Sequence, residues 1–358
     1  MLVVTALSAV ENPRMPKVNC CIKEDTGKVA LTEVDLPDPG PGEALIRTTL
    51  TTICGSDIHI CDDIPEVPVG MPMGHEGVGI VEAVGEGVER FKVGDKVVAC
   101  CLKSCGECTP CSDGDPAICE THGAPMNLVF GAQAEAFMVG GADRTLARLP
   151  AGVDDRQAVF VADILSTGFG ALERGGIKPG QSVAIFAQGP VGLCATIGAR
   201  HYGAEPIIAV EALPERQEMA RRLGATHVIE PAGAVDAIME ITGGRGVDLA
   251  VECLGKQETF ENCCRVTRLG GTISSVGVYA GIPALSLPTD GSFVHRRLVT
   301  TFCPAGSERL DYLLGLIDSG KIDPSQMITH DSSLSSIVTD YDIFRERREG
   351  VIKMAIAV

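Results

Sequence analysis

No run of apolar residues in this 358-residue chain approaches the ~18 needed to cross a bilayer as a helix, so an integral membrane protein of that kind is not expected. Basic residues are also scarce, with 30 Lys and Arg against 47 Asp and Glu and a net charge of −17. Such a balance argues against nucleic acid or an anionic membrane surface as a partner, since both require basic surface. The opening stretch Met1–Val10 is apolar but lacks a basic n-region and a convincing cleavage site. It reads as a short extension rather than a signal peptide, and the chain is expected in the cytoplasm.

What is abundant is glycine (42 residues) and cysteine (15 residues), within a chain that is 45% hydrophobic. The length allows two domains and a sizeable core. Without a secretory signal, the cysteines point to reduced thiols and metal ligands rather than a disulfide framework. Neighbouring pairs such as Cys20-Cys21 and Cys263-Cys264 suit no ordinary bridging pattern.

The fold class is read as α/β, in two textures. The first half has short apolar runs separated by turns (Ala44–Thr48, Gly77–Val84, Lys96–Cys101), which predicts an irregular β-rich domain. From about Lys178, strands and helices alternate. Strands are expected at Ser182–Ala187, Ile207–Val210, His227–Ile229, Val247–Cys253 and Thr272–Gly277. Helices are expected at Pro190–Tyr202, Pro214–Leu223 and Gln257–Thr267. That alternation implies right-handed crossovers and a doubly wound parallel sheet. A helical stretch, Arg309–Ser319, and an apolar segment, Val351–Val358, follow.

The strand Ser182–Ala187 runs into Gln188-Gly189-Pro190-Val191-Gly192 and then a helix. Gly189 and Gly192 match the second and third glycines of a dinucleotide fingerprint, with Ala187 at the first. Such glycines let the backbone approach a pyrophosphate, and the helix N-terminus offers NH donors and a positive dipole. Glu211 stands nineteen residues past Gly192, at the end of the next strand, where a carboxylate would hold the adenosine ribose. An acid there repels a 2′-phosphate, so NAD is expected over NADP.

Two cysteine-bearing sets suggest metal. Cys105-x2-Cys108-x2-Cys111-x7-Cys119 places four thiols in one short lobe, enough to close a tetrahedral zinc shell. An iron–sulfur cluster is the competing reading of that lobe. The second set is dispersed: Cys54, His75-Glu76 and Asp163. One thiolate, one imidazole and one carboxylate leave a coordination position open, as catalytic zinc requires. Each also has a plain alternative: a buried thiol, a satisfied core histidine, a helix cap.

Taken together, these residues resemble the zinc-containing medium-chain alcohol dehydrogenases. Gly74-His75-Glu76-x2-Gly79-x5-Gly85-x2-Val88 fits that family's zinc signature, and Lys92-Val93-Gly94-Asp95-Lys96-Val97, the cysteine lobe and the turn at Val183–Gly192 follow in order. The resemblance covers roughly residues 17 to 358. It implies a partly GroES-like, β-rich catalytic domain (residues 1–167 and 304–358) interrupted by a Rossmann domain (168–303).

By the same resemblance, Cys54, His75 and Asp163 hold a catalytic zinc, and Glu76 is a neighbour that can reach the metal when water or substrate is absent. Cys105, Cys108, Cys111 and Cys119 hold a structural zinc. Ser56 and His59 relay the substrate proton. Thr167 and Val276-Gly277-Val278 face the nicotinamide, Leu254 faces the adenosine, and Phe302 and Cys303 line the substrate pocket. The implied reaction is reversible hydride transfer between a small alcohol and an aldehyde or ketone, with NAD, in a homodimer or homotetramer.

The phrase Ala162–Phe169 is close to the bacterial secondary-alcohol and formaldehyde dehydrogenases, but the cysteine lobe and Glu211 depart from the secondary-alcohol branch. Formaldehyde or polyol oxidation is the alternative within the class. The intact ligands speak against a zinc-free quinone reductase. From another class, a zinc-ribbon binding protein with a regulatory NAD domain would show no NAD-linked turnover.

Overall fold

A computed structural model describes residues 17–62, 64, 67–124 and 127–358. The Met1–Val10 extension lies outside the described residues. Two sheets organise the chain. Strands β1 (Lys17–Asp25) and β2 (Lys28–Asp35) form a separate antiparallel pair. The first large sheet gathers β3 (Ala44–Thr51), β4 (Gly77–Val84), β5 (Lys96–Ala99), β6 (Ala136–Val139) and β7 (Leu146–Arg148). The second holds β8 (Val183–Phe186), β9 (Ile207–Val210), β10 (His227–Ile229), β11 (Val247–Glu252), β12 (Thr267–Ser275) and β13 (Arg297–Thr300). Finally β14 (Ile328–Ser333) and β15 (Lys353–Ala357) return to the first sheet, where β15 pairs with β3.

The second sheet is parallel throughout, in the order β10-β9-β8-β11-β12-β13. β8 reads Val-Ala-Ile-Phe and is buried at every position, as a central strand covered on both faces must be. Between β8 and β11 the chain's winding reverses, and crevices for ligands open at the C-terminal strand ends of such switch points.

Two close approaches set the geometry there. After β8 the helix Pro190–His201 begins with proline in its first turn, which fits the fixed φ of that residue. A Cβ on Gly192 would lie 1.9 Å from the Ala187 carbonyl oxygen, so only glycine lets helix and strand meet. Ala187 itself takes a left-handed φ of 71°, at the position where the fingerprint has its first glycine. The neighbouring helix Ile164–Gly175 lies against this one at Gly168, whose missing Cβ leaves room for the Ala195 amide.

All fifteen cysteines are unpaired. Among the described residues no helix is long and apolar enough to cross a membrane.

Candidate active site

Cys54 follows β3 and precedes the helix Gly55–Asp62; His75 lies just before β4. Asp163 stands at the N-cap of the helix Ile164–Gly175, yet its side chain caps no backbone amide. Instead its Oδ2 lies 3.3 Å from His75 Nε2 and 3.6 Å from Cys54 Sγ, while Oδ1 accepts a 2.9 Å hydrogen bond from Thr167 Oγ1. Ideal tetrahedral zinc, with bonds of about 2.0–2.3 Å, would separate a nitrogen and an oxygen ligand by ~3.3 Å and a sulfur and an oxygen ligand by ~3.5 Å. Two of the three separations match tetrahedral zinc, all three donor atoms lie within 4.8 Å of one another, and Asp163 does not serve as a helix cap.

The surroundings favour a cation. Cys54, Asp57, Glu76 and Asp163 are four buried acidic groups around one imidazole. Burial, reinforced by the Glu76 carboxylate, pushes the Cys54 thiol up, so an added positive charge is needed to make it a thiolate ligand. Burial would also raise Asp163, but His75, Thr167 and Lys353 bring it down to about 2, an ionised ligand. Burial alone would depress His75; the carboxylates of Asp57 and Asp163 outweigh it and hold the ring well above its ordinary value. Asp57 Oδ1 lies 3.0 Å from His75 Nδ1, and its Oδ2 accepts from the Cys54 amide (2.9 Å) and Gln133 Nε2 (3.1 Å). A carboxylate behind Nδ1 orients the ring and leaves Nε2 for a metal.

Glu76 sits behind the set, fully buried. Its Oε2 pairs with Lys353 Nζ at 2.6 Å, and its Oε1 has no hydrogen-bond partner among the described residues. Lys353 also donates to the Ile53 carbonyl at 3.2 Å.

In the lobe, the Sγ atoms of Cys105 and Cys111 are 4.0 Å apart and those of Cys108 and Cys119 are 3.8 Å apart. Four sulfurs on tetrahedral zinc, with Zn–S of ~2.3 Å, stand ~3.8 Å from one another. The Glu107 and Cys108 amides donate to Cys105 Sγ at 3.4 and 3.3 Å. Against the effect of burial, these bonds and the Thr121 hydroxyl bring Cys105 down to about 6.

A cleft of about 320 Å³ runs from Cys54, His75 and Asp163 to the C-terminal ends of the parallel strands. Ser56, His59 and Thr167 border it, as do Gly189, Pro190, Val191, Leu254, Val276, Gly277, Val278, Phe302 and Cys303. Gly192 is spent on packing instead. Glu211 is absent from the cleft wall: its Oε2 accepts from the Gln188 amide at 2.7 Å, and its Oε1 from the Ala212 and Leu213 amides at 2.8 and 3.0 Å. The carboxylate therefore ties the turn after β8 to the end of β9, a duty the sequence reading did not foresee.

That reading also passed over four residues. Arg216 and Arg347 bring the positive charge of the cleft, and the buried Arg216 Nε has no hydrogen-bond partner among the described residues. Arg216 lies five residues past Glu211, a detectable signal. Arg347 has none. Lys353 is a lone cation in an apolar run, itself a sign of a buried partner. Asp57, three residues after Cys54, carries no sequence signal of its own.

Comparison with known proteins places the chain in a family. Residues 40–151 match the family model of the alcohol dehydrogenase GroES-like domain, and residues 190–319 that of the zinc-binding dehydrogenase domain. An alcohol dehydrogenase of Cupriavidus necator is 39% identical over 352 residues, covering 93% of this chain and 96% of that one. An NADP-dependent isopropanol dehydrogenase of Thermoanaerobacter brockii is 33% identical over 320 residues, covering 85% and 89%. Among solved structures, alcohol dehydrogenase TADH from Thermus sp. ATN1 superposes with a TM-score of 0.87 at 33% identity, covering 95% of this chain and 99% of that one.

A GroES-like β domain joined to a parallel nucleotide-type sheet, with zinc-spaced donors between them, defines a zinc-binding oxidoreductase. The chain belongs to the zinc-dependent medium-chain alcohol dehydrogenase family. As a member it acts on alcohols with zinc and a nicotinamide cofactor.

Proposed function

We propose that this chain is an NAD-dependent dehydrogenase of small alcohols, with catalytic zinc on Cys54, His75 and Asp163 and structural zinc on Cys105, Cys108, Cys111 and Cys119. The observation that carries it is the spacing of the Cys54–His75–Asp163 donors at the floor of a cleft that ends on the parallel strands. The bound groups supply Lewis acidity towards the substrate oxygen and a hydride acceptor or donor.

The remaining work falls to the chain. Asp57 fixes the His75 ring, and Thr167 steadies Asp163. Ser56 Oγ, 3.7 Å from Cys54 Sγ, takes the proton of the substrate hydroxyl, and His59, one helical turn further on, passes it outward. Cys101, Leu102, Leu128 and Phe302 give the inner cleft apolar walls that suit a small, uncharged substrate. On the cofactor side, Gly189, Pro190 and Val191 receive the pyrophosphate at a helix N-terminus. The fixed Glu211 charge disfavours a 2′-phosphate, whereas Arg216 favours one, as does the NADP-dependent Thermoanaerobacter relative.

The division into residues 1–167 with 304–358, and 168–303, is supported by the return of β14 and β15 to the first sheet. β13 ends the parallel sheet as an edge strand with Leu298 exposed, which supports pairing with a second copy in a homo-oligomer.

The test is an NAD- and NADP-coupled screen of primary and secondary alcohols, formaldehyde and polyols on wild type and Asp163→Ala with measured metal content. Wild type is expected to oxidise small alcohols, and Asp163→Ala to lose turnover and one zinc while the lobe stays loaded. Retained turnover with full zinc in the variant would refute the ligand assignment; a formaldehyde- or polyol-selective profile would move the substrate.

A further inference from the structure

Two thiols that line the cleft meet beside the catalytic donors, and no chemical step of the proposed reaction uses them. Cys101 follows β5, its backbone held by bonds to Ala162 and Val129. Cys303 lies between β13 and the helix Ser307–Asp318, its Sγ 3.5 Å from the Asp163 carbonyl oxygen. Both line the cleft. Cys100, the residue before Cys101, is fully buried. The Cys101 and Cys303 sulfurs and a carboxylate oxygen of Asp163 all lie within 4.8 Å of one another.

We propose that Cys101, Cys303 and Asp163 form a second cation position in the substrate cleft, one that takes a thiophilic divalent ion and shares Asp163 with the catalytic set. Two sulfurs and one oxygen are donors that select Zn²⁺ or Cd²⁺ over Mg²⁺ and Ca²⁺. On binding, the ion displaces one proton from each thiol, which leave to solvent, so two thiolates balance its charge and the pocket gains none. A carboxylate has two oxygens and can bridge two ions, as in two-metal sites with ions ~3.5–4 Å apart. Because the cleft-lining thiols hold it there, the ion occupies the space an alcohol must enter, and inhibition competitive with alcohol follows. The inhibition rests on the reading of Cys54, His75 and Asp163 as the catalytic site; the binding does not.

The experiment adds Cd²⁺ to the zinc-loaded enzyme under a reductant that does not bind metal. Metal content per subunit and the ultraviolet cadmium–thiolate absorption are read, with alcohol kinetics alongside. One cadmium per subunit is expected in addition to the zinc already held, with the thiolate absorption. Cys101→Val and Cys303→Ser, each compared with its own cadmium-free rate and melting temperature, are expected to lose that extra ion and at least 10-fold in sensitivity to it. Cadmium that enters only by replacing zinc overturns the proposal, as does an extra ion that persists in both variants. An ion bound at the two thiols that leaves turnover unchanged keeps the site, overturns the blockade and counts against the catalytic reading.

Discussion

Lys353→Met tests the buried charge pair behind the metal set. Nζ and Oε2 of Glu76 are 2.6 Å apart, and both side chains are wholly shielded from solvent. At an effective dielectric constant of about 20, unit charges at that distance attract by roughly 6 kcal/mol, most of which is cancelled by their lost hydration. The pair as a whole therefore adds little stability, but removal of one partner strands the other and costs about 3–5 kcal/mol. Lys353→Met is expected to fall in that range, whereas Lys353→Met with Glu76→Gln recovers most of the loss. The coupling between the two positions should reach at least ~2 kcal/mol. The chain has no tryptophan, so urea unfolding is best followed by circular dichroism, on samples matched for zinc content and at unchanged m-value. Equal destabilisation in the single and double variants would refute the argument and leave Lys353 a packing residue.

Cys108→Ser is expected to release the lobe's ion and lower the melting temperature, because binding there is coupled to folding; an unchanged melting temperature counts against a structural zinc. Ser56→Ala should slow alcohol oxidation by roughly 10²–10⁴-fold and His59→Ala by less, since water replaces an outer relay group, with zinc retained in both. A wild-type rate in Ser56→Ala from about pH 6 to 9, with hydride transfer limiting, would sink the relay. Glu211→Gln should narrow the NAD/NADP ratio of kcat/KM, and its bonds to three backbone amides also predict a lower melting temperature. An unaltered ratio makes the residue purely a clamp.

Much of the nucleotide half was legible because period and composition agree there. β9, β10 and the helix Pro214–Leu223 have the bounds expected from sequence. β13 was not legible: Arg297–Thr300 sits at a sheet edge, largely exposed, and has no apolar alternation to read. The helix Ile164–Gly175 gives little local signal, since Gly168, Gly170 and Gly175 disfavour helices; it is held by the close contacts those glycines allow with Ala195, Pro304 and Leu249. At the site, Cys54, His75 and Asp163, which the structure brings together, could be singled out because metal chemistry restricts ligands to few residue types. Asp57, Lys353 and Arg347 could not, since their work depends on which distant strand or helix folds beside them.

The late return of β15 orders events during synthesis. Cys105 to Cys119 emerge together, so the lobe can bind the structural zinc proposed for it before the nucleotide half is made. Cys54, His75 and Asp163 emerge far apart, and the countercharge for Glu76 arrives only with residue 353. Until then the acids around His75 have no lysine behind them, and their uncompensated charge is expected to hold cations less selectively. Ribosome-bound chains halted between residues 163 and 353 are accordingly expected to carry well-defined zinc at the lobe and exchangeable metal, or none, at the other set.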